Sequence, residues 1–172
     1  MSRQKIKTAT ELAVLRAQID AVGGRLVFTN GCFDLLHVGH VRYLQAARAL
    51  GAALVVAVNG DESVRILKGD GRPINGEEER AEVLGALACV DFVTIFQTDR
   101  VTELVRALRP HVYAKGGDYT AETLNAEEVA ALREAGSDIR ILPLVPGKST
   151  TDTIRKLESG KQESGKRDEA KA

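Results

Sequence analysis

Apolar positions along the chain follow two different periods, one typical of helices and one typical of buried strands. Leu12, Leu15 and Ile19 recur at helical intervals behind a capping-box sequence that begins at Thr8. Residues 54–58 (LVVAV) instead form a continuous apolar run, which is typical of a strand that is buried on both faces of a sheet. The two patterns then alternate along most of the chain, so we expect strands and helices to alternate as well.

The alternation defines a set of predicted elements. Strands are predicted at residues 25–29, 54–58, 92–96, 112–114 and 139–145. Helices are predicted at residues 8–22, 40–50, 61–67, 101–108, 125–136 and 149–157, with one more that Asn75 and Glu78 cap. This order predicts an α/β fold, with a single doubly wound parallel sheet and helices on both of its faces.

The chain of 172 residues is long enough for one domain with a substantial core. We expect residues 1–24 to form an N-terminal helix packed on the domain, and residues 25–157 to form the domain itself. Residues 158–172 (ESGKQESGKRDEAKA) have alanine as their only apolar residue, so a disordered charged tail is predicted there.

Composition excludes several classes of function. Lys and Arg together number 24, as do Asp and Glu, so the whole chain has no net attraction to nucleic acid or to an anionic membrane. Tryptophan is absent and other aromatic residues are few, which argues against a surface that stacks nucleic acid bases. Cys32 and Cys89 form no disulfide framework, and no apolar run has the length of a membrane span or a signal peptide. A cytoplasmic location with no membrane partner is therefore expected.

Polar segments with glycines follow four of the predicted strands. NGCFDLLHVGH (residues 30–40) follows the first strand, and NGDESVRILKGDGRP (59–73) follows the second. KGGDYT (115–120) follows the fourth, and PGKSTTDT (146–153) follows the fifth. Ligands of open parallel sheets bind at the carboxyl ends of the strands, so these segments are the candidate ligand-binding loops.

The first of these segments admits three interpretations. Cys32, His37 and His40 could bind zinc, although the sequence offers no second cluster for a fourth ligand and His111 is expected at the opposite edge of the sheet. Alternatively, His40 could be an ordinary core histidine, because it shares a helix face with Leu44. The third interpretation is a phosphate-binding site at the start of a helix.

Gly39 favours the phosphate-binding interpretation. A glycine in the first turn lowers helix propensity, but it lets a ligand approach the backbone closely. The free N–H groups at a helix start attract anions, and His37 and His40 can reach the same bound anion. Such a site suits a phosphoryl group whose charge grows during reaction.

At this point a family resemblance becomes visible. HVGH resembles the HxGH signature of the nucleotidyltransferase superfamily, which has a Rossmann-like fold. TNGCFDLLHVGHVRYL, LKGDGRPIN, EERAEVL, KGGDYT and PLVPGKSTT together resemble the adenylyltransferases that act on D-glycero-D-manno-heptose 1-phosphate, over residues 7–157. The resemblance implies transfer of AMP from ATP to this sugar 1-phosphate, which gives ADP-heptose for lipopolysaccharide synthesis, and pyrophosphate. It also implies a form without the sugar-kinase domain of fused relatives, and a homo-oligomer, dimeric or larger.

The resemblance also assigns roles to residues. It implies that His37 and His40 contact phosphate oxygens in the transition state, and that Lys68, Arg80 and residues 149–151 hold the β- and γ-phosphates. The pattern of Arg80 with Leu84 and Leu87 separately predicts that Arg80 points inward, where its charge needs a partner. Mg²⁺ is expected to bridge phosphate oxygens, with no protein metal ligand. The remaining residues expected to bind the nucleotide are Thr29, Asn30, Gly31, Cys32, Phe33, Gly39, Lys115, Gly117, Asp118, Ser149, Thr150 and Thr151.

Other functions stay open from the sequence alone. One is a cytidylyltransferase that acts on glycerol 3-phosphate or another alcohol phosphate, and the other is a non-catalytic nucleotide sensor. Lys68 could be an ordinary surface lysine, and Ser149 could be a plain helix cap. A P-loop is rejected, because Leu142 stands where that motif needs a glycine five residues before Gly147.

Overall fold

The computed structural model describes residues 2–117, 123–143, 150 and 154. Its strands are β1 (Leu26–Gly31), β2 (Ala53–Asn59), β3 (Phe92–Phe96), β4 (Val112–Gly116) and β5 (Asp138–Leu142). Its helices are α1 (Ala9–Ala21), α2 (Val38–Arg48), α3 (Asp61–Lys68), α4 (Glu77–Ala86), α5 (Thr102–Leu108) and α6 (Ala126–Ala135), and a short 3-10 turn (Arg3–Lys5) precedes them.

The strands form one parallel sheet in the order β3-β2-β1-β4-β5. The chain builds outward from β1 to β3 and then returns to place β4 on the other side of β1. Neighbouring loops therefore diverge at the carboxyl ends of β1 and β4, and this divergence opens a crevice. The predicted doubly wound parallel sheet is confirmed.

Each face of the sheet carries its own apolar core. Leu12 of α1, Val105 of α5 and Leu132 of α6 are buried on one face, while Leu44 of α2 and Leu84 of α4 are buried on the other. Every residue of β2 is buried, as its continuous apolar run predicts. Helices thus cover both faces, and the open edge at the carboxyl ends is left for the polar loops.

Three of the predicted helix ends are confirmed in detail. Thr8 caps α1 through a capping box, in which Glu11 N–H donates to Thr8 Oγ1 and Thr8 N–H donates to the Glu11 carboxylate. Asn125 accepts hydrogen bonds from the first turn of α6, and Gly136 ends that helix in a left-handed conformation. These ends are encoded locally, so the sequence pattern is sufficient to predict them.

The predicted cap of α4 is wrong by one residue. Gly76 is the N-cap, and its N–H donates to the carboxylate of Glu79. Asn75 instead forms hydrogen bonds with Asp34 through both its backbone N–H and its side-chain amide. A contact with a loop that is distant in sequence therefore decides this helix start.

Helix α2 begins at Val38, two residues before the predicted start, and His37 is its N-cap. Of the predicted helix at residues 149–157, the structure describes Thr150 and Ile154, both in helical conformation. The charged tail and the predicted extension of the fifth strand over residues 144–145 lie outside the described residues. Within the described ranges, no helix has the length and apolar character needed to cross a bilayer.

Candidate active site

A cavity of about 720 Å³ opens at the carboxyl edge of the sheet. Its centre is formed by the loop after β1 and the start of α2. The last residue of α3, Lys68, lies on one side, and the end of β4 contributes Lys115 on the other. The volume lies within the usual range for small-molecule sites.

His37 and His40 lie side by side in this cavity. Their rings stack with centroids 3.9 Å apart and planes 21° apart. His37 precedes the first turn of α2 in an extended conformation, and its backbone N–H points toward Nδ1 of His40 at 3.4 Å. Because this Nδ1 accepts, we assign the proton of the neutral His40 ring to Nε2.

The charge state of His40 follows from its surroundings. Burial, and then the neighbouring His37, lower the pKa of His40 from 6.5 to about 4. His40 is therefore neutral near pH 7 and can donate one hydrogen bond without carrying a charge. Nδ1 of His37 is buried and has no hydrogen-bond partner within the described parts of the chain. Buried polar atoms are rarely left unpaired, and a ligand bound in this cavity can supply the missing partner.

Phe33 packs against the histidine pair through His40. Its backbone is left-handed, with φ of 47°, and its ring packs edge-to-face on His40 with centroids 5.5 Å apart. A Cβ atom at position 31 would lie only 3.0 Å from Cε2 of Phe33, so Gly31 leaves the space that this ring needs. A non-glycine residue in this conformation is strained, and such strain is often found at functional sites.

The geometry does not support the zinc interpretation. Burial raises the pKa of the Cys32 thiol, which disfavours the thiolate that a metal would bind. His111 lies at the opposite edge of the sheet, where its Nδ1 accepts a hydrogen bond from Leu26 N–H at 2.9 Å. No group of three potential metal ligands is found among the residues described.

Arg80 is buried, as its helix position predicts, but it does not line the cavity. Its Nε donates to Asn75 O at 2.9 Å, one Nη donates to Cys32 O at 2.6 Å, and the other donates to Asp61 at 2.6 Å. Each nitrogen of the guanidinium thus has a protein acceptor. In this arrangement Arg80 joins two loops to the first turn of α3, and the expected contact with the triphosphate finds no geometric support.

On the β4 side of the cavity, two donors converge on one amide. Tyr113 OH and Lys115 Nζ donate to Oδ1 of Asn30 at 2.7 and 3.0 Å. Because an ammonium group can only donate, Lys115 determines which way the Asn30 amide faces. Burial lowers the pKa of Lys115, while the nearby carboxylate of Glu128 acts in the opposite direction. Glu128 is itself buried in the cavity wall.

The expected site residues fall into three groups. Those that line the cavity are Asn30, Gly31, Cys32, Phe33, His37, Gly39, His40, Lys68, Lys115 and Thr150. Thr29, Arg80 and Gly117 are not part of its wall, and Thr29 is buried with its hydroxyl bonded to Tyr43 OH at 2.6 Å. Asp118, Ser149 and Thr151 lie outside the described residues.

Sequence reasoning missed several residues of the wall, among them Asp34, Arg72 and Glu128. Asp34 and Arg72 belong to segments that the sequence already marks, FDLLHVGH and LKGDGRPIN, so a signal was present. Glu128 lies in the first turn of α6, where an acidic residue is ordinary on electrostatic grounds, so its position carried no signal.

A family model described as cytidylyltransferase-like matches residues 28–156. The chain is 52% identical over 156 residues to the Bifunctional protein HldE of Pelobacter propionicus, covering 91% of this chain and 32% of that protein. It is also 52% identical over 159 residues to the Bifunctional protein HldE of Geotalea uraniireducens, covering 92% of this chain and 32% of that protein. The chain thus spans about a third of the length of these curated relatives.

Solved structures show the same fold. The crystal structure of the lipopolysaccharide core biosynthesis protein from Thermoplasma volcanium is similar at a TM-score of 0.59 and 27% identity, covering 72% of this chain and 98% of that one. The pantoate-beta-alanine ligase of Francisella tularensis shares the fold at a TM-score of 0.53 and 12% identity, covering 80% of this chain and 66% of that one. The histidine site, the fold and the match over residues 28–156 agree, and the chain belongs to the cytidylyltransferase-like family of nucleotidyltransferases.

Proposed function

We propose that this protein transfers AMP from ATP to D-glycero-D-manno-heptose 1-phosphate, giving ADP-heptose and pyrophosphate. The observation that carries the proposal is the stacked pair His37 and His40 at the start of α2. A lysine stands on each side of this pair in the same cavity, Lys68 on one side and Lys115 on the other. One cavity therefore offers donors for a triphosphate and for a second phosphorylated substrate.

In the proposed reaction, a phosphate oxygen of the sugar 1-phosphate attacks the α-phosphorus of ATP. The new P–O bond forms as the bond to the β-phosphate oxygen breaks, and that oxygen leaves with pyrophosphate. Negative charge grows on the transferred phosphoryl group, where the N–H of His40, the His37 ring and the free N–H groups of α2 can stabilise it. The protein positions the groups and stabilises charge, and it forms no covalent bond.

Magnesium fits the proposal as part of the nucleotide substrate. Asp34 in the cavity wall is paired with Arg72, which leaves Asp99 and Glu128 as the other carboxylates of the wall within the described residues. Mg²⁺ commonly keeps several waters and binds phosphate oxygens with few protein ligands. We therefore propose that ATP enters with its Mg²⁺ and that the ion bridges phosphate oxygens.

The choice of heptose rests on the sequence resemblance of the motifs. Its support from relatives is the name of the Thermoplasma volcanium protein, which refers to lipopolysaccharide core biosynthesis, and the extended identity to the HldE proteins. We further propose that residues 25–157 form the catalytic domain, with residues 1–24 packed on it and residues 158–172 as a charged tail. The protein would act in the cytoplasm, where ATP is available, as a homo-oligomer whose size light scattering would measure.

A second candidate is a cytidylyltransferase that acts on glycerol 3-phosphate or another alcohol phosphate. The observation that favours it is the description of the matching family model, cytidylyltransferase-like. The resemblance implies base contacts near the end of the fourth strand, and no side chain discussed above decides between ATP and CTP.

The test is a matrix of substrate pairs, with pyrophosphate release as the readout. ATP, CTP, GTP and UTP are combined with α- and β-heptose 1-phosphate, glycerol 3-phosphate and hexose 1-phosphates. We expect the highest kcat/KM for ATP with a heptose 1-phosphate. If CTP with glycerol 3-phosphate is best, the second candidate replaces the first. If ATP binds and no pair releases pyrophosphate, the protein is a nucleotide sensor.

A further inference from the structure

Arg72 reaches the cavity from the loop between α3 and α4, which spans residues 69–76 and is called the 69–76 loop below. Its Nε donates to Oδ2 of Asp34 at 2.6 Å. The Asp34 side chain is 1% exposed and the Arg72 side chain 16%, so the pair is largely withdrawn from water. A buried ion pair of this kind needs a reason beyond stability, because desolvation offsets much of its attraction.

Asp34 also holds the backbone of the 69–76 loop. Its Oδ1 accepts hydrogen bonds from Ile74 N–H at 2.8 Å and Asn75 N–H at 3.2 Å. Its carbonyl oxygen accepts from the Asn75 side chain at 3.1 Å. One residue of the β1–α2 loop therefore sets the path of the 69–76 loop and the direction of Arg72 together.

Arg80 is a second residue that forms hydrogen bonds with the 69–76 loop. It donates to Asn75 O and also to Cys32 O, so it joins the 69–76 loop to the β1–α2 loop a second time. Gly69 and Gly71 have φ of 88° and 78°, values that other residues rarely adopt. The loop thus has a specific shape that is held at both of its sides.

Asp34 engages only one nitrogen of Arg72. A guanidinium has five N–H donors, and the two Nη groups of Arg72 have no partner within the described parts of the chain. Arg72 and Lys68 both line the cavity. Burial raises the pKa of the Cys32 thiol, and the charges of Lys68, Arg80 and Arg72 each oppose that rise. All three positive charges therefore lie close enough to Cys32, a residue of the cavity wall, to affect its pKa.

We infer that Arg72 is a further phosphate-binding residue and that Asp34 is the positioning residue that directs it. The inference rests on the proposed function. With its Nε edge held by Asp34, the guanidinium can present its Nη groups to an oxyanion, and arginine suits phosphate in this geometry. The ligand is a phosphate group with at least two negative charges, which is either the triphosphate of the nucleotide or the phosphate of the acceptor.

The test compares Arg72→Gln, Arg72→Lys and Asp34→Asn with the unchanged chain. Steady-state kinetics give KM for ATP and for heptose 1-phosphate separately, and calorimetry gives the affinity for each substrate alone. Arg72→Gln should weaken the substrate that Arg72 binds by about 10- to 100-fold, the scale of a charge-assisted hydrogen bond. The substrate whose binding is weakened is the one that carries the phosphate bound by Arg72. Arg72→Lys should recover only part of the loss, since its point charge lacks the planar fork.

Asp34→Asn separates positioning from folding. The amide oxygen can still accept from the backbone of Ile74 and Asn75, while the amide nitrogen faces Nε of Arg72, donor against donor. The variant should weaken the same substrate as Arg72→Gln. The double variant should be no weaker than Arg72→Gln alone, because both changes remove one interaction. The control is Asp138→Asn, which removes the charge from exposed ion pairs with Arg25 and Arg140 at the far edge of the sheet and should leave both affinities unchanged.

Contrary results are easily recognised. If Arg72→Gln folds and leaves both KM values and both affinities within about twofold of the unchanged chain, below the scale of one such hydrogen bond, the inference is wrong. If the losses of affinity in the two single variants add up in the double variant, Asp34 does not act by positioning Arg72. If Asp34→Asn does not fold, the two Arg72 variants decide the matter. Failure of the proposed function looks different, because the unchanged chain then releases no pyrophosphate while the affinities still report on Arg72.

Discussion

His40 shows how burial sets the chemistry of a single side chain. A protonated imidazole would attract a phosphate more strongly, but burial and His37 keep His40 neutral over most of the physiological range. The neutral ring still has one N–H donor, and a donor in a partly water-excluded cavity can stabilise developing charge. The site therefore gains a hydrogen bond without the cost of a further cation in a cavity that Lys68 and Arg72 already line.

The shifted pKa of His40 predicts how stability depends on pH. Between pH 6.5 and about 4 an unfolded His40 binds a proton while the folded one does not, so the free energy of unfolding falls as pH falls. His40→Asn should remove this contribution, and its urea-derived unfolding free energy should fall less steeply in that window. Above pH 7 the two proteins should show parallel curves.

His111→Gln is the comparison for that experiment, since burial lowers the pKa of His111 as well. It should reduce the slope of the unfolding free energy against pH in the same direction, because the folded His111 also binds its proton less readily than an unfolded histidine. Equal slopes in the unchanged chain and His40→Asn would mean that His40 titrates near its ordinary pKa when folded.

Helix α2 carries both histidines, and Tyr43 anchors it to the sheet. Thr29 of β1 and Tyr43 share a hydrogen bond of 2.6 Å, and Tyr43 OH donates to Ala114 O of β4 at 3.0 Å. Burial raises the pKa of Tyr43 to about 12, so the hydroxyl stays protonated and keeps donating. The helix is thus tied to the two strands whose ends form the crevice.

Tyr43→Phe should destabilise the protein by about 1–3 kcal/mol, because it leaves the buried Thr29 hydroxyl and the Ala114 carbonyl without this partner. Urea denaturation at pH 7 measures the difference. Val83→Ala, at a position of α4 that is 52% exposed, should change stability by less than about 0.5 kcal/mol. Equal stability of Tyr43→Phe and the unchanged chain would show that water satisfies both groups.

Elements with strong local signals could be predicted from the sequence. The buried run of β2, the capping box at Thr8, and the Asn125 and Gly136 ends of α6 all follow from nearest neighbours in the chain. The start of α4 could not, because Asn75 and Gly76 each precede a suitably spaced glutamate. Only the contact of Asn75 with Asp34 decides between them, and that contact depends on the folded sheet.

In the candidate site, too, the residues with local sequence signals could be predicted and those that depend on distant contacts could not. The HxGH segment and the strand-end loops mark the centre of the cavity, and most expected residues do line it. The resemblance implied that Arg80 contacts the phosphates, whereas its helix position predicted only that it points inward. A one-dimensional pattern cannot tell which group an inward charge will meet. The acceptors on Asn75, Cys32 and Asp61 come from two loops and the first turn of α3, which are separate in sequence. Arg72 and Asp34 were missed for the same reason.

The molecule as a whole is organised around one crevice. The reversal of strand order between β1 and β4 brings the polar loops of different strands to a single edge. The core clusters on the two faces pack the helices against the strands from whose ends these loops start. The residues beyond 157 include no bulky apolar side chain. The fold thus separates a packed body from a polar, functional edge.

Deletion of residues 160–172 should leave both the melting temperature and turnover nearly unchanged. The reason is compositional, since this segment has alanine as its only apolar residue and cannot bury much surface. Differential scanning calorimetry and pyrophosphate release measure the two quantities. A clear fall in either one would show that the segment contributes to the folded domain or to its site.

The central claim is that the His37 and His40 pair stabilises the transition state of nucleotidyl transfer. The most direct measurement is kcat for His40→Ala with ATP and heptose 1-phosphate, together with the affinity for ATP alone. We predict a loss of about 10²–10³ in kcat, the scale for one stabilising donor, and a much smaller change in ATP affinity. An unchanged kcat, or an ATP affinity that falls as far as kcat does, would contradict the account.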